Sequence, residues 1–270
     1  MSNQDTQQKG TEPIRFTDGA AYERYMGAWS QRVGDRFLEW LSPAPGQRWL
    51  DVGCGNGAFT QMIVERCAPA SVDGLDPADA QLAHARARFA PGVATFHQGD
   101  AMALPFADAS FDVTVMPLVI FFVPVPAKGV AEMVRVVAPG GLVTAYGWDL
   151  TGGGFPYAIL QDALRAVGRN VPMPPNPEAA ELDRLRGLWS AAGLSDVETC
   201  EISVQRTFPS YDDYWTTVLG APSASGTLSS MAPGERAQMQ TLMRERLPID
   251  AAGRITLSAR AHAVRGTKAG

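Results

Sequence analysis

Asp51-Val52-Gly53-Cys54-Gly55-Asn56-Gly57 places a carboxylate two residues ahead of three alternating glycines. An apolar strand, Arg48 to Val52, runs into them, and Ala58 to Cys67 reads as a helix immediately after. Glycine has no Cβ, so it accepts a tight turn and lets a ligand approach the backbone. The first N–H groups of the helix lack partners and favour negative charge. Strand, glycine turn and helix in that order make a site for a nucleotide-type ligand. Asp76 ends the next apolar strand, Ser71 to Leu75, 19 residues beyond Gly57. A carboxylate there accepts hydrogen bonds from ribose hydroxyls; the plainer alternative is a strand-end turn residue before Pro77. Gly53, Gly55 and Ala58 also satisfy the G-x-G-x-x-G/A spacing of dinucleotide sites, so a nicotinamide-dependent oxidoreductase is one reading.

Gly57 extends the run to G-x-G-x-G behind Asp51, and here the sequence resembles the class I S-adenosylmethionine-dependent methyltransferases. The subgroup it resembles is methyltransferase type 11, the ubiquinone/menaquinone-biosynthesis-like enzymes. Four further landmarks follow in order: Gly74-Leu75-Asp76-Pro77, Gly99-Asp100-Ala101, Phe111-Asp112-Val113-Thr114-Val115 and Arg135-Val136-Val137-Ala138-Pro139-Gly140-Gly141. They cover roughly residues 45 to 150. An ordinary glycine-rich turn explains one landmark, and the oxidoreductase reading leaves Gly99-Asp100-Ala101 and Pro139-Gly140-Gly141 unexplained. A third reading is a non-catalytic S-adenosylmethionine-binding module that regulates a partner.

The resemblance implies how the cofactor, S-adenosylmethionine, and its product S-adenosylhomocysteine would sit. Gly53, Gly55 and Gly57, with Cys54 in the variable slot between them, bring backbone to the methionyl end. Asp51 acts through nearby backbone or the methionyl amino group. Asp76 takes the ribose diol and Pro77 offers an apolar face to the adenine. Asp100 accepts from the adenine amino group, Ala101 directs its N–H at a ring nitrogen, and Met102 packs beneath; alternatively Asp100 only caps a turn. Met116 ends the fourth strand near the sulfonium, and Pro117 and Leu118 line the approach to the methyl. Tyr22-Glu23-Arg24-Tyr25-Met26 resembles a segment that folds over the cofactor, making Tyr22, Tyr25 and Trp29 contacts or else surface packing. Trp148 belongs on the rim, Phe121 in the pocket wall or the core, and Tyr214 and Trp215 in the acceptor pocket.

Methyl transfer from a sulfonium is an in-line displacement in which the protein chiefly supplies alignment. Relatives place a histidine a few residues past the fourth strand, where this chain has Ile120-Phe121-Phe122. His84, His97 and His262 read as ordinary polar residues, so no general base is assigned. Met116-Pro117-Leu118-Val119 lacks the Asn/Asp-Pro-Pro-Tyr/Phe signature of base-amine methylation, and no Pro-Cys nucleophile serves cytosine. The acceptor expected is a quinone-like, phenolic, polyketide, lipid or amine metabolite.

The elements that must position these groups alternate. Strands are expected near 48–52, 71–75, 93–97, 111–116 and 142–147, with helices near 58–67, 78–89 and 126–137 between them. Trp29, Val33, Phe37, Trp40 and Leu41 share a helical face ahead of the first strand. Such alternation argues for a parallel sheet with right-handed crossovers. Beyond Gly147 come a helix through Ile159 to Val167, a proline-rich loop, a helix through Leu182 to Trp189, and strands at 197–206 and 255–263. By resemblance the class is α/β, a Rossmann-like doubly wound seven-stranded sheet whose last strand is antiparallel, with helical lid insertions. Residues 1–12 read as a disordered N-terminus. Residues 13–210 with 248–270 make the cofactor-binding domain. Residues 211–247 interrupt the final hairpin with two amphipathic helices around a small-residue stretch, Gly220 to Ser230, and suit either a lid or a homodimer surface.

The 270 residues suffice for one large α/β domain with an insertion, and 46% hydrophobic content supplies a substantial core. Lys and Arg number 23 against 28 Asp and Glu, a net charge of −5 without a basic stripe, which disfavours a nucleic-acid partner. No apolar run spans a bilayer and the N-terminus is polar, so a cytoplasmic location is expected. Cys54, Cys67 and Cys200 have no metal-ligand spacing and read as small hydrophobes, so no metal is expected.

Overall fold

The computed structural model describes residues 23–219 and 225–270. The expectations for residues 1–12, for Tyr22 and for 220–224 lie outside the described residues. A π-helical turn, Glu23–Gly27, leads into α1 (Ala28–Leu41). Then come β1 (Arg48–Val52), α2 (Ala58–Cys67), β2 (Ser71–Asp76), α3 (Asp79–Arg88), β3 (Thr95–Gln98) and β4 (Phe111–Pro117). The second half holds α4 (Pro126–Val136), β5 (Val137–Trp148), α5 (Ala158–Ala166), α6 (Leu182–Ala191) and β6 (Leu194–Phe208). α7 (Tyr211–Leu219), α8 (Ser225–Ser229) and α9 (Pro233–Arg246) separate β6 from β7 (Ile255–Lys268).

The strands form one seven-stranded sheet in the order β3-β2-β1-β4-β5-β7-β6. β1 to β5 pair in parallel, and β7 runs antiparallel between β5 and β6. The seven-stranded class with an antiparallel last strand therefore holds. The parallel strands are apolar through their length because helices cover both faces: Trp49, Leu50 and Val52 of β1 and Val113, Val115 and Met116 of β4 are all fully buried. Two short 3-10 turns, Ile120–Phe122 and Pro177–Ala180, carry no periodic signal.

Several boundaries differ from the sequence expectation. β5 starts at Val137, directly after α4, because Gly140 adopts φ +78° and a Cβ on Gly141 would lie 2.6 Å from the Asp112 carbonyl oxygen. Those two glycines let the strand bend through an irregular register beside β4. The small-residue stretch of the insertion contains the helix α8 in place of a simple connector. His262, read from the sequence as an ordinary polar residue, is buried, with Nδ1 2.9 Å from the Ala180 carbonyl oxygen. β7 lies between two strands and is covered on both sides, so its alternation ends there.

Candidate active site at the strand ends

At the end of β1, Gly53, Gly55 and Gly57 all have positive φ (80°, 52° and 78°). Their crowding differs. A Cβ on Gly53 would lie 2.5 Å from Cγ2 of Val119, and one on Gly57 3.0 Å from the Phe89 ring. Among the described residues nothing lies within 4 Å of a Cβ on Gly55, so none of them crowds that glycine. The turn hangs from β2: Gly53 N–H and Cys54 N–H both donate to the Leu75 carbonyl, at 2.7 and 3.0 Å. Asp76 fastens it further. Its carboxylate accepts from Gly55 N–H at 3.0 Å through Oδ2 and from Ala78 N–H at 2.9 Å through Oδ1. Partial burial raises the Asp76 carboxyl above its ordinary value, against the lowering effect of those two N–H donors.

Asp51 is sealed beneath the turn with no exposed surface. Its Oδ2 accepts from Thr60 Oγ1 of α2 at 2.7 Å, whereas Oδ1 has no hydrogen-bond partner among the described residues. Burial pushes its carboxyl up to about 7; the Thr60 hydroxyl opposes the shift and the Asp76 charge adds to it. The Cys54 side chain turns away, toward Gly74, and joins Leu82, Ala85 and Phe96 in a small separate cluster. Its thiol is held well above the ordinary value by burial, an inert side chain.

Asp100 opens a turn after β3, accepting from Met102 N–H at 2.8 Å through Oδ1 and from Ala103 N–H through its carbonyl. Arg135 holds the following loop. Its guanidinium donates to the Leu104 and Phe106 carbonyls at 2.9 and 2.8 Å, and pairs with Glu132 and Asp108. A Cβ on Gly129 would lie 3.6 Å from Met116 Cε and 3.9 Å from the Ala101 oxygen, so Met116 and the Asp100 turn meet at α4. Pro77 is exposed beyond Asp76.

After β4 the chain makes a strained exit. Leu118 has φ +60°, rare for a branched side chain, and its N–H donates to the Tyr146 carbonyl at 2.7 Å. This turn delivers Val119 onto Gly53. Phe121 is buried against Gly147, and Trp148 is buried at the end of β5.

Tyr25, Trp29, Tyr214 and Trp215 gather elsewhere. Tyr25 stacks on Tyr157 with ring centroids 4.1 Å apart, and Tyr214 packs on Phe208 at 5.3 Å. Trp215 stacks on Tyr211. Sequence reasoning missed Tyr157, which follows an irregular Gly-Gly-Gly-Phe-Pro loop without periodicity. It also missed Thr60, although a polar residue on the buried stripe of α2 beside Phe59, Met62 and Ile63 is a readable signal. The glycine turn and the β4 exit both lie at the carboxyl ends of the parallel strands, the ligand face of open α/β sheets.

Residues 50–145 match the family described as a methyltransferase domain. Over these residues the chain is similar to the class I S-adenosylmethionine-dependent methyltransferase domain. The ubiquinone/menaquinone biosynthesis C-methyltransferase of Roseobacter denitrificans is 37% identical over 112 residues, 40% of this chain and 44% of that one. The malonyl-(acyl-carrier protein) O-methyltransferase of Serratia marcescens is 34% identical over 142 residues, 53% of this chain and 54% of that one. The matches thus span about half the length of these curated relatives. The Haemonchus contortus phosphoethanolamine N-methyltransferase 2 structure with S-adenosyl-L-methionine shares the fold at TM-score 0.58 and 18% identity, covering 93% of this chain and 56% of that one. The methyltransferase domain as matched takes in β1 to most of β5, so it contains the glycine turn, Asp76, Asp100 and the β4 exit. The antiparallel β7, β6 and the helices between them lie beyond it.

Proposed function

We propose that this chain transfers a methyl group from S-adenosylmethionine to a small-molecule acceptor. The observation that carries the reading is the sheet order, with antiparallel β7 inserted between β5 and β6. The doubly wound sheet of dinucleotide enzymes runs 3-2-1-4-5-6. The glycine turn alone does not separate the two classes; the far end of the sheet does.

The residues fit the cofactor. Among the described residues none crowds Gly55, and none partners the second carboxylate oxygen of Asp51 beneath the turn. Gly53, Gly55 and Gly57 would hold the methionyl end, Asp76 the ribose diol, and the Asp100-Ala101-Met102 turn the adenine, with Pro77 and Met116 flanking. When bound, S-adenosylmethionine supplies an electrophilic methyl on a sulfonium. The chain's own part is to align the acceptor with that methyl and to exclude water. Pro117 and Leu118 border the approach. No histidine is placed for proton removal: His97 is 2.7 Å from Asp73, His262 meets the Ala180 carbonyl, and His84 is on the exposed side of α3.

By name, the three similar proteins act on carbon, oxygen and nitrogen. One fold therefore serves several acceptor atoms, and the acceptor class rests with the residues outside the shared domain. Residues 211–247 are read as a cap over that side. Their Tyr214, Val218, Met239 and Met243 are fully or almost fully buried within the main core, so the cap is packed down.

Calorimetric titration with S-adenosylhomocysteine and with NAD tests the reading. Binding of the first and not the second is expected; the reverse would overturn it. Labelled methyl donor with a panel of phenolic, quinol, carboxylate and amine acceptors then separates transfer from a second reading, a non-catalytic binding module. That second reading is favoured by the absence of histidine from the Pro117–Phe122 turn. Light scattering on a chain lacking 211–247 distinguishes a cap from a dimer surface.

A further inference from the structure

Residues 99–110 join β3 to β4 and begin with the turn read above as holding the adenine. That turn is at the surface: Asp100 and Ala103 are exposed, Ala101 and Met102 half-buried. Its own bonds are short-range, Met102 N–H to Asp100 Oδ1 at 2.8 Å and Ala103 N–H to the Asp100 carbonyl at 3.0 Å. Neither fastens the turn to the body of the fold. That attachment comes from α4. Leu104, buried just beyond the turn, is held at both backbone groups. Its N–H donates to Glu132 Oε2 at 2.8 Å and its carbonyl accepts from Arg135 Nη2 at 2.9 Å. Arg135 Nη1 donates to the Phe106 carbonyl and to Asp108 Oδ1, both at 2.8 Å. Nε and Nη2 donate to Oε1 and Oε2 of Glu132, again at 2.8 Å. Every N–H of the guanidinium is thus used. The far end of the loop returns to the same residue, where Ala109 N–H donates to the Arg135 carbonyl at 3.2 Å.

We propose that Arg135 is a positioning residue for the base of the cofactor, holding the Asp100 turn where it tells an amino group from an oxygen. This rests on the methyl-transfer reading above and deepens it at the adenine end. Three features tie the arginine to the turn. The helix follows the loop: a Cβ on Gly129 would lie 3.9 Å from the Ala101 carbonyl oxygen, and Glu132 and Arg135 come on the next turns of α4. The planar fork fixes direction as well as distance, whereas a lysine ammonium offers three rotatable donors. And only Oδ1 of Asp100 is engaged by the described residues, which leaves Oδ2 to accept from a ligand. A carboxylate oxygen accepts from an amino group and repels an oxo group, but only at hydrogen-bond distance. A turn left loose would lose that discrimination while the glycine turn kept its grip on the rest of the ligand.

The probes are S-adenosylhomocysteine and S-inosylhomocysteine, which differ at one position of the base, an amino group against an oxygen. Each is titrated calorimetrically into the full chain and into Arg135→Lys, with thermal unfolding followed in parallel. Arg48→Lys is the control, because Arg48 forks onto Asp112 at the amino end of β1, away from the ligand face. The wild type is expected to prefer the adenosyl compound about tenfold or more. Arg135→Lys should lower adenosyl affinity about tenfold and inosyl affinity less than about twofold, so the preference collapses. Arg48→Lys should lower the unfolding midpoint and leave the preference intact. Equal losses for the two compounds, a preference that survives Arg135→Lys, or the same collapse in Arg48→Lys each overturns the proposal. Should Arg135→Lys not fold, Glu132→Gln takes its place. It removes one acceptor shared by Arg135 and Leu104 and should lower the preference about threefold; an unchanged preference there also overturns the proposal. A wild type that binds both compounds equally takes the adenine away from the Asp100 turn and overturns the proposal alone. Failure to bind S-adenosylhomocysteine at all overturns the methyl-transfer reading with it, so the two failures are distinguishable.

Discussion

The glycine turn and the aromatic knot are built from different materials. The proposed cofactor site is made of backbone: a glycine turn hung on the Leu75 carbonyl and tied by Asp76, with contributions from neighbouring strands. The aromatic knot is made of side chains: Tyr25, Tyr157, Arg206 and Tyr214 come from the π-helical turn, the loop after β5, the end of β6 and α7. A backbone site needs particular φ angles at a few positions and tolerates little else. An aromatic site needs volume and a few polar tips, and can be retuned without disturbing the sheet. That difference teaches that the turn is fixed by local backbone geometry and the knot by long-range packing.

The comparison breaks most visibly at Gly53. Gly53→Ala combines a positive φ with overlap against Val119, and should cost about 4 kcal/mol of stability and abolish S-adenosylhomocysteine binding. Gly46 has a similar φ of 76° but nothing within 4 Å. Gly46→Ala should therefore cost only about 1 kcal/mol, and equal unfolding midpoints for the two variants would show that crowding plays no part.

Asp51 gives the next largest effect. Its folded pKa of about 7 stands above the ordinary 3.8, so the folded chain holds a proton that the unfolded chain releases. Stability should then fall as pH rises from about 4 to about 7. Asp51→Asn removes that slope and should exceed the wild type by on the order of 3 kcal/mol above pH 7, with the advantage vanishing near pH 4. Denaturant unfolding at several pH values checks it; parallel curves would mean that Asp51 is already ionised without penalty.

Asp76→Ala should weaken S-adenosylmethionine binding by about 1.5–3 kcal/mol, the scale of lost charge-assisted hydrogen bonds. An unchanged dissociation constant would remove Asp76 from the ribose role. The smallest effect tests the other half. Tyr157→Phe removes the hydroxyl that donates to the Tyr25 carbonyl and accepts from Trp29 Nε1, leaving that carbonyl the longer side-chain bond from Arg206, and should cost about 1 kcal/mol of stability. S-adenosylhomocysteine affinity should stay the same; a parallel loss would show that the two halves are coupled.

Sequence alone determined the glycine turn closely. Asp51, the three glycines and Asp76 are legible because their requirements are local: a strand, a turn that needs positive φ, and a carboxylate at the next strand end. The same locality made β1 to β4 readable from apolar runs, and the insertion readable from its break in the final hairpin. What the tertiary structure decided is long-range. Only packing turns Cys54 away from the turn, seats Val119 on Gly53, buries His262 under Ala180, and leaves one oxygen of Asp51 and the hydroxyl of Tyr214 without partners among the described residues. Tyr25 and Tyr157 are 132 residues apart along the chain, yet they stack ring on ring. Periodicity reports which face of an element is apolar; it does not report which distant side chain will meet it, because that is settled by how seven strands and their helices close around one core.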